Sequence, residues 1–281
     1  MVKAARLFIL RRAAQLRVVT DAAGSLRSPR RMLGTLLNAG AIFLGALLGL
    51  TTKLDVSLQR QQLIKVLLGL ATSWFGLKLF WDGLRWHGAT TTTAQQFFFQ
   101  LVVVLLAMIV GHLLGKLCRI QVAMNRLGQN AKTKLEHAAT EGKKAASDGL
   151  FAATLLFCAA PLGIVGALED GLRNYFQPLA VKAVMDGLAA LSFARMFGWM
   201  AMLAALPLGA FLYCIALLGT RLAPWLEAQM LLGVVHASGG LIITYVALVI
   251  FEIKKVEIGN YLPALVVAPA LMKLSQALHG W

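Results

Sequence analysis

Two oppositely charged residues lie inside an apolar stretch that is long enough to cross a membrane. Lys182 and Asp186 interrupt the run of residues 179–197 and are four positions apart. At helical spacing both side chains share one face, where they can form an ion pair. An aspartate in the middle of a membrane helix costs about 2.5–3.5 kcal/mol to insert. The pair therefore predicts either a site for a solute or a self-neutralised structural lock.

Further polar residues could join this pair in one path. Glu169 and Asp170 end the preceding apolar run, where they either face water or form a vestibule that attracts cations or takes a proton. Asn38 and Asn260 lie in or beside other apolar runs, and an interhelical hydrogen bond is the alternative role for both. The predicted substrate or ion path consists of Asp186, Lys182, Glu169, Asp170, Asn38 and Asn260.

A proline inside the run before Glu169 predicts a helix break. Pro161 lacks a backbone N–H, and Gly163 makes the bend easier to adopt. Carbonyl groups freed by such a break can coordinate a cation. A kink that only improves packing is the alternative.

No residue pattern points to catalysis. The sequence has no HExxH, GxSxG or phosphate-binding-loop motif. Its three cysteines are far apart, and His112 and His236 are single histidines. We therefore expect no enzyme activity, no metal site and no cofactor.

The composition is that of an α-helical integral membrane protein. Of the 281 residues, 59% are hydrophobic and 14% are charged, whereas soluble domains are about a quarter charged. A bilayer core needs about 20 apolar residues per helix. The runs that meet this length predict an all-α polytopic bundle of about eight spans, at residues 32–50, 63–81, 97–117, 149–168, 179–197, 199–219, 230–251 and 261–278. Fusion or re-entry of 179–197 would reduce the count to seven.

The net charge of +15 is spread unevenly between loops. Lys53, Arg60, Arg195, Lys254 and Lys255 follow odd-numbered spans, as does a basic amphipathic linker at residues 116–147. The positive-inside rule places these loops in the cytoplasm and both termini outside. The basic tail at residues 1–31 conflicts with that orientation, which suggests that it is not translated or is removed. The transmembrane domain is then residues 32–281.

A weak internal repeat relates the two ends of the chain. Residues 68–80 resemble residues 239–251, and residues 100–108 resemble residues 264–272. Spans one to three would then correspond to spans six to eight in inverted orientation. Inverted repeats are typical of secondary transporters, whose site lies near the membrane midplane.

Four segments carry a resemblance to a known family: GTLLNAGAIFLGALLGL, LLFCAAPLGIVGALEDGL, KAVMDGLAAL and IGNYLPALVVAP. They resemble the YqgA/YdfK-like family, bacterial multi-spanning inner-membrane proteins with a domain of unknown function. The similarity covers about residue 32 to the C-terminus, and Ala160 stands where the family usually has glycine. The resemblance implies a multi-pass protein of the bacterial plasma membrane with a transport role and no defined substrate.

These observations predict a transporter or channel for a small cation or cationic solute. The alternative is a membrane scaffold or interaction protein that transports nothing. Anionic lipid is the expected partner of the basic linker, and nucleic acid is not an expected partner. The glycine-rich face of the first span is compatible with a homo-oligomer.

Overall fold

The computed structural model describes residues 32–52, 57–85, 94–141, 146–253 and 256–279, so the predicted basic tail lies outside the described residues. Within these ranges the chain is helical and has no strand. The helices are α1 (Leu33–Thr51), α2 (Leu58–Leu84), α3 (Ala94–Leu117), α4 (Ile120–Glu141), α5 (Ala146–Cys158), α6 (Pro161–Arg173), α7 (Gln177–Phe197), α8 (Met200–Leu203), α9 (Ala205–Ala228), α10 (Leu232–Ile250) and α11 (Ala264–His279), with a 3₁₀ helix at Ile258–Tyr261 before α11.

Six helical segments in the described part are long and apolar enough to cross a membrane: Leu33–Thr51, Gln59–Leu84, Ala94–Leu117, Met200–Ala228, Leu232–Ile250 and Ile258–Leu278. A helix satisfies its own backbone hydrogen bonds, which is why it is stable in lipid. The bent pair α5 and α6 would bring the number to seven. The predicted all-α polytopic bundle is thus confirmed. By length and composition, however, fewer than the predicted eight helices qualify as spans in the described part.

The break between α5 and α6 has a local cause. The residue before a proline is pushed out of the helical region, and Ala160 is extended, with φ −74° and ψ 120°. Pro161 is then the first residue of α6, a position where its missing N–H costs nothing. The two helices meet at 61°, so the span predicted as one run at residues 149–168 is divided at the predicted break.

The helix α7 has the length of a span, but its charged residues lower its apolar character. It nevertheless runs parallel to α1, because Gly34 lies against Leu179, Gly45 against Gly187 and Gly49 against Leu191. A methyl group on Gly45 would lie 2.1 Å from the carbonyl oxygen of Gly187. The backbones of α1 and α7 therefore touch, which small residues permit.

The helices α2 and α10 form a second close pair, and this pair is antiparallel. Gly69 lies against Phe251, and Gly83 lies against Ala237. The helices α3 and α11 are also antiparallel, since Gly111 contacts Ala264 and Gly115 contacts Asn260. Corresponding helices of the predicted inverted repeat are thus antiparallel neighbours, while the repeat itself stays a prediction.

Contacts between the ends of helices identify the two ends of the bundle. Arg195 at the end of α7 donates to the carbonyl oxygen of Thr52 after α1, at 3.3 Å. Lys65 near the start of α2 pairs with Glu252 after α10. We call this end the basic end, because Arg60 and Arg195 belong to the predicted cytoplasmic loops. The other loop residues predicted to be cytoplasmic, Lys53, Lys254 and Lys255, lie outside the described residues.

The opposite end carries the other termini of these helices. There Arg173 of α6 pairs with Glu227 of α9 at 3.7 Å. The orientation of the two ends in the membrane stays a prediction.

Candidate functional site

A cavity of about 800 Å³ leads from the basic end into the bundle. Its outer part is lined by Gln61, Lys65, Arg195 and Glu252. The side chains of Lys65 and Glu252 are 41% and 76% exposed, so this part is open to water. Apolar side chains of α2 and α10 form the walls, among them Leu68, Val246 and Val249.

The inner part of this cavity reaches the predicted ion pair. Lys182 and Asp186 both line it, and Nζ of Lys182 donates to Oδ2 of Asp186. The pair is nearly buried, with exposed fractions of 2% for Lys182 and 8% for Asp186. A buried charge needs a partner, and here each residue is the partner of the other.

The neighbouring helices leave a slot for the lysine side chain. A methyl group on Gly163 of α6 would lie 2.9 Å from Cε of Lys182. The ring of Phe157 lies on another side, 6.0 Å from the lysine nitrogen. The predicted break residues Pro161 and Gly163 thus adjoin the ion pair, since Pro161 lines the same cavity and Gly163 contacts Lys182.

Asn38 is the third polar residue near this pair. It is fully buried on α1 and lies near Asp186. Neither its Oδ1 nor its Nδ2 reaches a well-formed hydrogen bond with a described residue. A polar amide in this state has bonding capacity that a small ligand could use.

Glu169 makes a contact that the sequence reasoning did not anticipate. Its Oε2 accepts a hydrogen bond from Nδ1 of His236 on α10. Both residues are buried, with exposed fractions of 0% and 3%. Gly239, three residues after His236, makes room for the carboxylate, because a methyl group there would lie 2.5 Å from Oε1 of Glu169.

A second, smaller cavity of about 200 Å³ reaches this contact from the opposite end. It is lined by Leu79, Asp82, Gly83, Arg173, Tyr175 and His236. The hydroxyl of Tyr175 donates to the carbonyl oxygen of Phe75 at 2.8 Å, which fixes the ring beside α2. Among the described residues, a cavity thus extends inward from each end of the bundle.

Buried apolar residues lie along α6 and α10 between the two cavities. Val165 is four residues from both Pro161 and Glu169, and it faces Gly239. Ile242 and Ile243 lie between His236 and Val246 on α10 and have no exposed surface. This apolar layer separates the charged groups of one cavity from those of the other.

Asp170 lines neither of the two cavities and contacts the start of α1. Its Oδ2 accepts hydrogen bonds from the backbone N–H groups of Gly34 at 2.9 Å and Thr35 at 3.3 Å. The first N–H groups of a helix have no partner within the helix, and the helix dipole favours a negative charge there. Asp170 therefore caps α1 from another helix.

Asn260 lies in the 3₁₀ helix and does not itself line the large cavity, although Ile258 of the same helix does. Its Oδ1 accepts a hydrogen bond from the backbone of Gln121 on α4, and its Nδ2 donates to Glu257. Of the predicted path, the structure brings together Asp186, Lys182 and Asn38 beside Pro161 and Gly163. It places Glu169, Asp170 and Asn260 in three other contacts.

The sequence reasoning missed His236 as a functional candidate. The signal was present, because an ionisable side chain inside an apolar run is a functional candidate in a membrane protein. His236 was considered only as a metal ligand and was not expected to be one. Its partner, Glu169, is 67 positions away in sequence, so the sequence did not indicate their contact.

Comparisons with known proteins agree with the resemblance in the sequence. The family model described as "Protein of unknown function (DUF554)" matches residues 33–273. The uncharacterized protein YqgA of Escherichia coli (strain K12) is 28% identical over 254 residues, which are 89% of this chain and 99% of that protein. The uncharacterized membrane protein YdfK of Bacillus subtilis (strain 168) is 26% identical over 242 residues, or 86% and 96% of the two chains. No solved structure matches.

Proposed function

The chain belongs to the DUF554 family of membrane proteins of unknown function, and we propose that it transports a small cation or cationic solute. In this proposal Asp186 is the central carboxylate, and the protein is a multi-pass protein of the bacterial plasma membrane. No catalytic step is involved.

One observation carries the proposal: an open cavity reaches a buried ion pair near the middle of a helix. Asp186 lies near the centre of the 21-residue helix α7, so it is about 14 Å from the start of that helix. Ionisable residues at this depth are expensive and face a cavity or a partner when they serve transport. The pair that lines the large cavity meets both conditions.

Lys182 holds the site closed until a solute replaces it. A cation that enters from the basic end must displace the lysine nitrogen from Asp186, because both bind the same carboxylate. The amide of Asn38 can then supply a further ligand. Competition of this kind favours release, since the lysine returns when the cation leaves.

The broken helix supplies a hinge for alternating access. The segments α5 and α6 meet at 61° beside the ion pair, and discontinuous helices of this kind surround the solute sites of many transporters. Opening toward the opposite end would require α6 to move relative to α10, where Val165, Ile242 and Ile243 now separate the two cavities.

A solute with an anionic group is a second candidate, and the cavity lining supports it. Lys65, Lys182 and Arg195 are basic, whereas Asp186 and Glu252 are acidic. The N-terminus of α6 also faces the cavity through Ala160, Pro161 and Leu162, and helix N-termini attract anions. In that case Lys182 is the binding residue and Asp186 is the group that the anion displaces.

The alternative of a scaffold that transports nothing rests on the same ion pair. A pair that only locks helices together needs no access to water. The cavity at Lys182 and Asp186 therefore favours the transport proposal over the scaffold. A flux measurement distinguishes the two.

Proteoliposome flux tests these candidates. We expect radiolabelled sodium, rubidium, methylammonium or arginine to enter vesicles that contain the wild-type protein. Asp186→Asn should reduce that flux about 10- to 100-fold, the effect of losing a charged hydrogen-bond partner of 1.5–3 kcal/mol. Glu136→Gln is the matched control, because Glu136 is an exposed acid on α4.

Equal flux of a permeant cation in wild type and Asp186→Asn would refute the role of Asp186. Flux of acetate or phosphate that depends on Lys182 would favour the anionic solute. Absence of flux for every probe would favour the scaffold.

A further inference from the structure

We propose that Glu169 and His236 form a proton-binding site that is reached through the small cavity and coupled to the large one. The coupling rests on the proposed transport function, whereas the proton site does not. Sequence reasoning treated the two residues separately. The structure joins them across α6 and α10.

The bonding pattern of the pair leaves room for a proton to bind and leave. Nδ1 of His236 and Oε2 of Glu169 contact each other. Oε1 of Glu169 and Nε2 of His236 are buried and have no hydrogen-bond partner among the described residues. A purely structural pair would be expected to satisfy such atoms, because buried unpartnered polar groups are costly.

The charged groups beside His236 come from two helices. From α6 come Glu169 and Arg173, and from α2 comes Asp82. Tyr175 follows α6 and lines the same cavity. Behind Arg173 lies Glu227 of α9, which pairs with it. The small cavity thus offers a polar route from the opposite end to the histidine ring.

The proton balance at the site is simple. With Glu169 ionised and His236 neutral, the pair carries one negative charge. A proton from water in the small cavity binds the imidazole, and the pair becomes a neutral ion pair. Release returns the proton to water by the same route. Histidine suits this exchange, because its second ring nitrogen can accept a proton while the first keeps its hydrogen bond.

The helix α6 connects this site mechanically to the large cavity. Glu169 is eight residues after Pro161, about 12 Å along one continuous helix. The protonated pair ties α6 to α10 by an ion pair, and loss of the proton removes that attraction. Protonation therefore favours one position of α6, and with it one angle of the break beside Lys182 and Asp186.

The proton site is tested by the histidine signals of the whole protein in lipid nanodiscs. The chain has five histidines, and isotope-labelled histidine side chains can be followed by nuclear magnetic resonance. We expect one signal to change with pH, to vanish in His236→Gln and to move in Glu169→Gln. His112→Gln is the control and should remove a different signal. A His236 signal that does not change at any pH at which the protein stays folded, or that is unaffected by Glu169→Gln, overturns the proton site.

The coupling is tested by a cysteine reporter in the large cavity. Cys118, Cys158 and Cys214 are first replaced by alanine, and Ala189→Cys is then introduced in the cavity wall. The rate at which a neutral maleimide labels this cysteine is divided by the labelling rate of Gln59→Cys, which is at an exposed position. This division corrects for the effect of pH on the reactivity of the thiol. We expect this ratio to change about fivefold or more with pH and to become constant in His236→Gln.

A ratio that does not change with pH, or that changes equally in His236→Gln, overturns the coupling. Neither readout uses a transported solute. Loss of the flux proposal therefore leaves the proton site standing, and a flat titration overturns the proton site even when cation flux depends on Asp186.

Discussion

Three buried carboxylates in the centre of this bundle have three different partners. Asp186 pairs with Lys182 one turn away, Glu169 with His236 on α10, and Asp170 with the backbone of α1. Glu169 and Asp170 are adjacent but diverge, because successive residues of a helix are about 100° apart. Each carboxylate has a hydrogen-bond partner, as burial requires, but of these three contacts only the Lys182–Asp186 pair borders the large cavity.

The contact of Asp170 predicts a role in stability. In Asp170→Ala the N–H groups of Gly34 and Thr35 lose their acceptor, so the free energy of unfolding should fall by about 1–3 kcal/mol. Asp170→Asn keeps an acceptor oxygen and should lose less. Thermal unfolding in detergent measures both. If Asp170 instead carried the solute, Asp170→Asn would abolish flux and leave the unfolding temperature unchanged.

At the scale of elements, direct backbone contact holds the ion-pair helix in place. The glycines of α1 bring it against α7 along their length, so the position of Asp186 depends on that packing. The break before Pro161 has the opposite effect, since it frees α6 to change its angle to α5. In the proposed transport cycle, α6 moves at its hinge while the close α1–α7 pair keeps Asp186 in place.

The α1–α7 contact can be tested with two glycines of the same helix. Gly45→Val would put a side chain within the space of the Gly187 carbonyl, and we expect a loss of stability of about 3 kcal/mol or more, at the upper end of overpacking effects. Gly40→Val is the matched control, because a methyl group there would meet nothing within 4 Å. Thermal unfolding of the two variants should differ clearly, and equal unfolding temperatures would contradict the contact.

At the scale of the whole molecule, the apolar runs predicted the helical membrane bundle, and the spacing of Lys182 and Asp186 predicted their pairing. Both are local properties of the chain. The partners of Glu169 and Asp170 are 67 and 136 positions away, and no periodicity encodes such distances. The number of described helices apolar enough to span a membrane is lower than the eight predicted. One reason is that the charged residues that make α7 a candidate site also lower its apolar character.

The large cavity opens at the basic end, and in the proposed function water and cations reach Asp186 from that end. The most direct test uses the reporter Ala189→Cys, one turn from Asp186, in membrane vesicles of both orientations. Positively and negatively charged methanethiosulfonate reagents of similar size report access and local charge together.

We expect labelling only when the reagent is added at the basic end. The ratio of the cationic to the anionic reaction rate should fall about tenfold in Asp186→Asn, a change of about 1.4 kcal/mol, because the substitution removes a negative charge from the cavity. Labelling from the opposite end alone, no labelling from either side, or an unchanged rate ratio in Asp186→Asn would contradict this route to Asp186.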